Sequence, residues 1–312
     1  MPKLTRPPHL APHLAKGALT SPRKRPPYKG ARLPPDEVTL VGAAVDPARL
    51  RAYNAVCRFR GGATLPPTYP HIMAFPLAMR LMAAADFPFP LLGLIHTGIT
   101  VTCPVPLPVT ARPTLTVHAE GVAPHRKGTE FTVVTGAELD GTTVWHSRST
   151  YLCPHRTRES AARDTARGEE PAGLPARAAW DLPADLGRRY AAASGDRNPI
   201  HLHPLTARLF GFPRPIAHGM WTFARCLAEL DGDSEGGGGG KGGELTEARA
   251  VFKAPVPLPA TVTFGADGTG AFALRGEEPH GGRSRTHLSG HVERASSGGP
   301  SSGSPAPPSR SS

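Results

Sequence analysis

Two stretches of the chain are apolar at helical spacing, and each is followed by a run of extended segments. From Tyr69 to Ala85 apolar residues fill most positions, which predicts a buried helix; Ile99–Val105, Pro113–Gly121 and Phe131–Leu139 then follow with the Val, Thr and Leu content of strands. The pattern recurs: Gly219–Leu230 reads as a helix, and Leu245–Ala254, Ala260–Ala266, Ala271–Arg275 and Arg285–Val292 read as strands. Strands with no helices between them predict an α+β fold with antiparallel sheets, because parallel neighbours need long crossovers. The recurrence predicts a duplicated unit, with each helix against the concave face of its own sheet and the two sheets joined along an edge.

Composition divides the chain further. Residues 34–158 and 180–294 read as two domains, and residues 159–179, charged and Ala-rich without aromatics, as a solvated linker. Residues 1–33, basic and Pro-rich, and residues 295–312, almost entirely Ser, Gly and Pro, read as disordered tails. The glycine run Gly236–Gly240 reads as a flexible loop and not a phosphate loop, since no strand precedes it and the G-x-x-x-x-G-K-[ST] spacing is absent.

The formal net charge is +11 over 312 residues, and residues 1–33 hold eight Lys or Arg and no Asp or Glu, so the remainder is nearly balanced. With almost no aromatics to stack on bases, the basic tail implies no specific nucleic-acid partner. Cys57, Cys103, Cys153 and Cys226 are scattered without a C-x-x-C pair, which argues against a disulfide framework or a zinc ribbon and fits a cytoplasmic protein. The longest apolar stretch, Ile72 to Val109, is broken by Arg80, Asp86 and several prolines, so no membrane span is expected; residues 1–27 lack the apolar core of a secretory signal.

The densest chemistry lies between Tyr190 and Met220, YAAASGDRNPIHLHPLTARLFGFPRPIAHGM. Pro199 disfavours helical geometry at Asn198, so Gly195–His201 is expected to be a loop between short helices, folding Asp196 and His201 toward one pocket with Ser194 or Asn198 fixing them. Such a pair can activate water. Gly219 opens the second long helix, where its amide has no intrahelical acceptor and can hold an oxygen that gains negative charge. Taken singly, each residue has a plainer role: Asp196 and Asn198 as turn formers, His201 and His218 as packed or capping histidines, Gly219 as a close-packing glycine. Ser194 lacks the G-x-S-x-G setting of a hydrolase nucleophile. A metal bound by His201, His203 and Asp196 would need a further ligand cluster that is not evident, so no metal and no cofactor are expected.

The runs SGDRNPIH, Ser194 to His201, and GFPRPIAHGM, Gly211 to Met220, resemble the signature of MaoC-like (R)-specific enoyl-thioester hydratases and dehydratases. FKAPVPLPATV, Phe252 to Val262, resembles the strand–turn–strand piece that follows the helix in that family, and PPTYPHIMAFPLAMRLM, Pro66 to Met82, resembles the degenerate first repeat of its double hot-dog members. The resemblance implies a tandem hot-dog fold and one active site, in residues 180–294, reversibly hydrating trans-2-enoyl thioesters to (3R)-hydroxyacyl thioesters. It implies Asp196 and His201 as the water-activating pair, the Gly219 amide as the carbonyl donor and Asn198 as loop support; from their places in the chain, Ser194 and His218 are expected in loop support or substrate binding. The implied partner is an acyl-CoA or acyl-carrier-protein thioester, with a homodimer as candidate assembly. Two departures stand out: Leu227 beside Cys226 where some members carry a helix serine, and His203 at an often acidic position. A hot-dog acyl-thioesterase and a non-catalytic acyl-thioester-binding subunit remain open alternatives.

Overall fold

Helix starts and tight turns are built from local chemistry. Asp46 Oδ1 accepts from the amides of Ala48 and Arg49 at 2.8 and 3.2 Å, and Pro47 fills the first turn, which starts a helix there. Asp140 and Gly141 both take positive φ, 49° and 78°, the pair a two-residue hairpin demands. In a computed structural model, which describes residues 3–26, 28, 30–157, 173–232, 243–276 and 284–295, one order of elements occurs twice. After α1 (Leu10–Thr20) come β1 (Val38–Leu40), α2 (Pro47–Cys57), α3 (Tyr69–Met82), β2 (Ile95–Thr102), β3 (Thr114–His125), β4 (Gly128–Leu139) and β5 (Thr142–Pro154). The second pass is β6 (Ala176–Leu182), α4 (Leu186–Ser194), α5 (Pro204–Leu209), α6 (Gly219–Gly232), β7 (Leu245–Phe252), β8 (Ala260–Ala266), β9 (Ala271–Gly276) and β10 (Arg285–Arg294).

All strand pairs are antiparallel, in one sheet of order β1-β3-β4-β5-β2-β7-β10-β9-β8-β6. Read inward from each edge, the halves are 1-3-4-5-2 and 6-8-9-10-7, the same topology repeated. They join where β2 pairs with β7, from Gly98 opposite Val251 to Thr102 opposite Glu247. This is the expected α+β double hot-dog arrangement. α3 packs on β3 and β4, and α6 on β9, with Leu77, Phe131 and Trp145 buried in the first half and Phe223, Phe264 and Phe272 in the second. Each such side chain contributes on the order of 2–3 kcal/mol of apolar burial. The halves also meet through helices: Trp221 Nε1 on α6 donates to the Val56 carbonyl on α2 at 2.9 Å.

The described part of residues 1–33 differs from the expected tail. Leu10, Leu14 and Gly17, spaced four and three apart, put one face of α1 on the protein, with Gly17 against Leu91. Leu4 bridges Leu40, Lys24 Nζ donates to the Ala84 carbonyl at 3.0 Å, and Tyr28 packs edge-on against Phe89. The charge and proline count concealed this short apolar stripe. The expected linker lies largely outside the described residues, and β6 begins within its last part, at Ala176. The glycine run Gly236–Gly240 and all but the first residue of the expected carboxy-terminal tail also lie outside them. All four cysteines are free thiols, and no described helix is long and apolar enough to cross a membrane.

Candidate active site

α4 stops at Gly195, whose φ of 80° makes it the left-handed residue that turns the chain out of the helix. The turn is then fixed by hydrogen bonds at two-residue spacing. Ser194, 1% exposed, accepts the Asp196 amide on its hydroxyl at 3.1 Å, Asp196 Oδ1 accepts the Asn198 amide at 3.1 Å, and Asn198 Oδ1 accepts from Ile200 N. Pro199 starts a short 3-10 helix, Pro199–His201, that carries His201 back over the turn.

A second segment comes down on this turn from the other side. Ile216 N donates to the Ile200 carbonyl, Ala217 N to the Val256 carbonyl and Leu258 N to the Pro215 carbonyl, so residues 215–218 are held between the turn and the segment after β7. His201 Nδ1 donates to the Ile216 carbonyl at 2.7 Å, which leaves Nε2 as a lone pair. His218, 1% exposed, stacks on His201 with ring centroids 3.7 Å apart, and its Nε2 donates to the Asp196 carbonyl at 3.0 Å. The structure therefore brings Asp196, His201 and His218 together, with His218 holding the turn. Gly219 is the first residue of α6, and the Phe252 ring lies so close that a Cβ at 219 would sit 3.1 Å from it.

Desolvation dominates the electrostatics. Burial raises the Asp196 carboxyl above its ordinary value against the opposing pull of His201, although 32% of the side chain stays accessible. Burial lowers His201 below the ordinary histidine value, with Asp196 and the Ile216 hydrogen bond resisting. His201 is thus neutral at pH 7 and available as a base. Burial, then the neighbouring His201, holds His218 well below its ordinary value.

In the first half, burial lowers His71 to about 4 and His96 to about 3. Below the ordinary value of 6.5, an unfolded chain takes up protons that these folded imidazoles refuse, so stability is lost as pH falls from about 6.5 toward 4. Thermal unfolding across that window is expected to show a falling midpoint, less steep in His71→Phe. A midpoint independent of pH there would contradict the buried neutral state.

Asp196, His201 and His218 can place one ligand atom each within 4.8 Å of the others. However, the His218 nitrogen 3.8 Å from Asp196 Oδ2 is the one that donates to the Asp196 carbonyl, and a protonated nitrogen is not a metal ligand. His203 is exposed and accepts the Leu205 amide as the cap of α5, away from this cluster. The Leu227 departure is also accounted for, since His201 takes its orienting bond from the Ile216 backbone and not from α6.

Three features were not visible in the sequence. Arg49, on α2 in the first half, donates through Nε to the Ala193 carbonyl at 2.8 Å and through Nη2 to the Ser194 carbonyl, closing the end of α4 beside the turn. Leu10 of α1 lies against Gly195. Gly187, in the first turn of α4, faces the His201 carbonyl so closely that no side chain fits between them.

Comparison with known proteins adds to this geometry. A family model described as MaoC like domain matches residues 168–287. The chain is 36% identical over 244 residues to 3-hydroxyacyl-thioester dehydratase X of Mycobacterium tuberculosis, covering 78% of this chain and 84% of that one. It is similar to the crystal structure of HtdX from Mycobacterium tuberculosis, with a TM-score of 0.69 and 35% identity over 82% of this chain and 99% of that one. A MaoC-like dehydratase from Phytophthora capsici, 18% identical, shares the fold with a TM-score of 0.64 over 85% of this chain and 97% of that one.

Proposed function

The chain belongs to the MaoC-like family, and on that premise we propose that it reversibly hydrates trans-2-enoyl thioesters to (3R)-hydroxyacyl thioesters with Asp196 and His201 as its catalytic pair. The observation that carries the reading is the free Nε2 of His201, fixed by the Nδ1 bond to Ile216, in a cluster with a carboxylate at a helix N-terminus. A water bound there donates one proton to Asp196 and the other to His201 Nε2. As it attacks the β-carbon, His201 takes its proton, and charge moves to the thioester oxygen, where the Gly219 amide and the helix dipole stabilise it. His201 then returns the proton to the α-carbon. Dehydration is the same path reversed.

Residues 180–294 form the catalytic half in this reading, and residues 34–158 a degenerate half. α2 ends in a left-handed residue, Arg58, as α4 ends in Gly195, but the next residue is Phe59 where the second half has Asp196. One active site per chain follows. The thioester is carried by coenzyme A or an acyl carrier protein, the setting is the cytoplasm, and a homodimer is the proposed assembly.

The test is a spectrophotometric survey of trans-2-enoyl-CoA substrates from short to long chains. Loss of the enoyl absorbance with the thioester intact is the expected result. Binding of acyl-CoA without any absorbance change at every chain length would favour a non-catalytic subunit.

A further inference from the structure

The first half contributes no acid or base to the pair, yet it holds the turn that carries Asp196. The last carbonyls of a helix have no intrahelical donor, and those of Ala193 and Ser194, at the end of α4, stand directly before that turn. Both residues are buried, so solvent has little access to them. One guanidinium takes both carbonyls instead. Arg49 of α2 donates through Nε to Ala193 at 2.8 Å and through Nη2 to Ser194. Arg49 is itself anchored, because its amide lies in the first turn of α2 and donates to the Asp46 cap at 3.2 Å.

The turn does not select its own geometry. Gly195 is the hinge between α4 and Asp196, and a glycine takes positive and negative φ about equally readily, so its φ of 80° has to be imposed by neighbours. The peptide between Ser194 and Gly195 is held at both ends: its N–H donates to the Ala191 carbonyl at 2.9 Å, and its C=O accepts from Arg49. The Ser194 hydroxyl in turn accepts the Asp196 amide. A Cβ at 195 would sit 3.1 Å from Arg49 Nη2, so the guanidinium also packs on the hinge itself. We infer that Arg49 is a positioning residue for the hydration, supplied by the half that lacks the pair. It fixes the Ser194–Gly195 peptide and, through it, the direction of the Asp196 carboxylate, and it takes no part in proton transfer. This rests on the hydratase reading above. The planar fork is the working feature: a lysine would keep the charge at the negative end of the α4 dipole but not two donors at fixed spacing.

Arg49→Met keeps an unbranched stem and removes both donors. Measured well below the unfolding midpoint, its kcat is expected to fall between about tenfold and 10²-fold with little change in KM, the loss that a displacement of about 1 Å brings at a reacting group. Arg49→Lys is expected to fall in between. A double-variant cycle separates positioning from general loosening of the fold. In an Asp196→Asn background no carboxylate remains to be aimed, so Arg49→Met is expected to cost less than about threefold there. Loosening of the whole structure would instead multiply the two losses. Should the Met variant fold poorly, Arg49→Lys takes its place in the same cycle. With an active parent, parental kcat in the folded variant, a loss carried by KM alone, or losses that multiply overturns this inference alone. A parent inactive on every enoyl thioester removes the hydratase reading and this inference with it.

Discussion

Asp196→Asn and His201→Ala are each expected to lower the hydration kcat by at least about 10²-fold, with substrate binding affected much less. The Asn side chain keeps the acceptor for the Asn198 amide but loses the charge that orients the water and favours a proton on His201. The Ala variant removes the base and also the bond to the Ile216 carbonyl. Both changes act on one water, so the double variant is expected to lose far less than the product of the single losses. The pH dependence has the same origin. Because burial lowers His201 and raises Asp196, kcat/KM is expected to stay level from neutral pH down through the ordinary histidine range and to fall only below it, as the pair takes up a proton as a unit. Near-parental hydration by both folded single variants would show that the pair is misassigned.

Gly187→Ala is expected to be nearly as damaging, although residue 187 touches no substrate. The first turn of α4 lies directly against the His201 carbonyl, and a methyl there would overlap backbone, which cannot rotate away. α4 and the 3-10 helix must then separate, at a cost of about 1–3 kcal/mol for overpacking. The separation moves His201 relative to Asp196, and a displacement of about 1 Å at a reacting group can cost about 10²-fold in rate. The measurements are kcat by the enoyl assay and the unfolding midpoint by circular dichroism. A variant with parental kcat and midpoint would show that the close approach of α4 to His201 is unimportant.

Much of the fold was legible because two signals survive in the chain: long apolar helices and β-rich runs after them. The duplicated helix-then-strands pattern led to the double hot-dog reading, and both the pairing of β2 with β7 and the similarity to HtdX agree with it. β5, long as it is, was missed because Thr142–Pro154 interleaves His146, Arg148 and several Ser and Thr with its apolar positions. α1 was missed because the eight cationic residues and the prolines of residues 1–33 outweighed the short apolar run of Leu10–Thr20.

The cluster itself was legible in SGDRNPIH and GFPRPIAHGM, whose prolines and glycines force the turns that bring Asp196, His201 and Gly219 near one another. His218 was left between two roles, and its near-complete burial and bond to the Asp196 carbonyl favour support of the turn. The braces could not be read. Arg49 reaches Ala193 across 144 residues of sequence, and Gly187 carries no turn or positive-φ signature, since its smallness matters only once the 3-10 helix lies upon it.

The most direct measurement is hydration in heavy-oxygen water, followed by mass analysis and chiral separation of the product. The expected result is an intact thioester carrying the label on a 3-hydroxyl of R configuration, formed by the parent and strongly reduced in Asp196→Asn. Label in a released carboxylate with free thiol in solution, the outcome of thioester hydrolysis, would contradict the hydratase assignment.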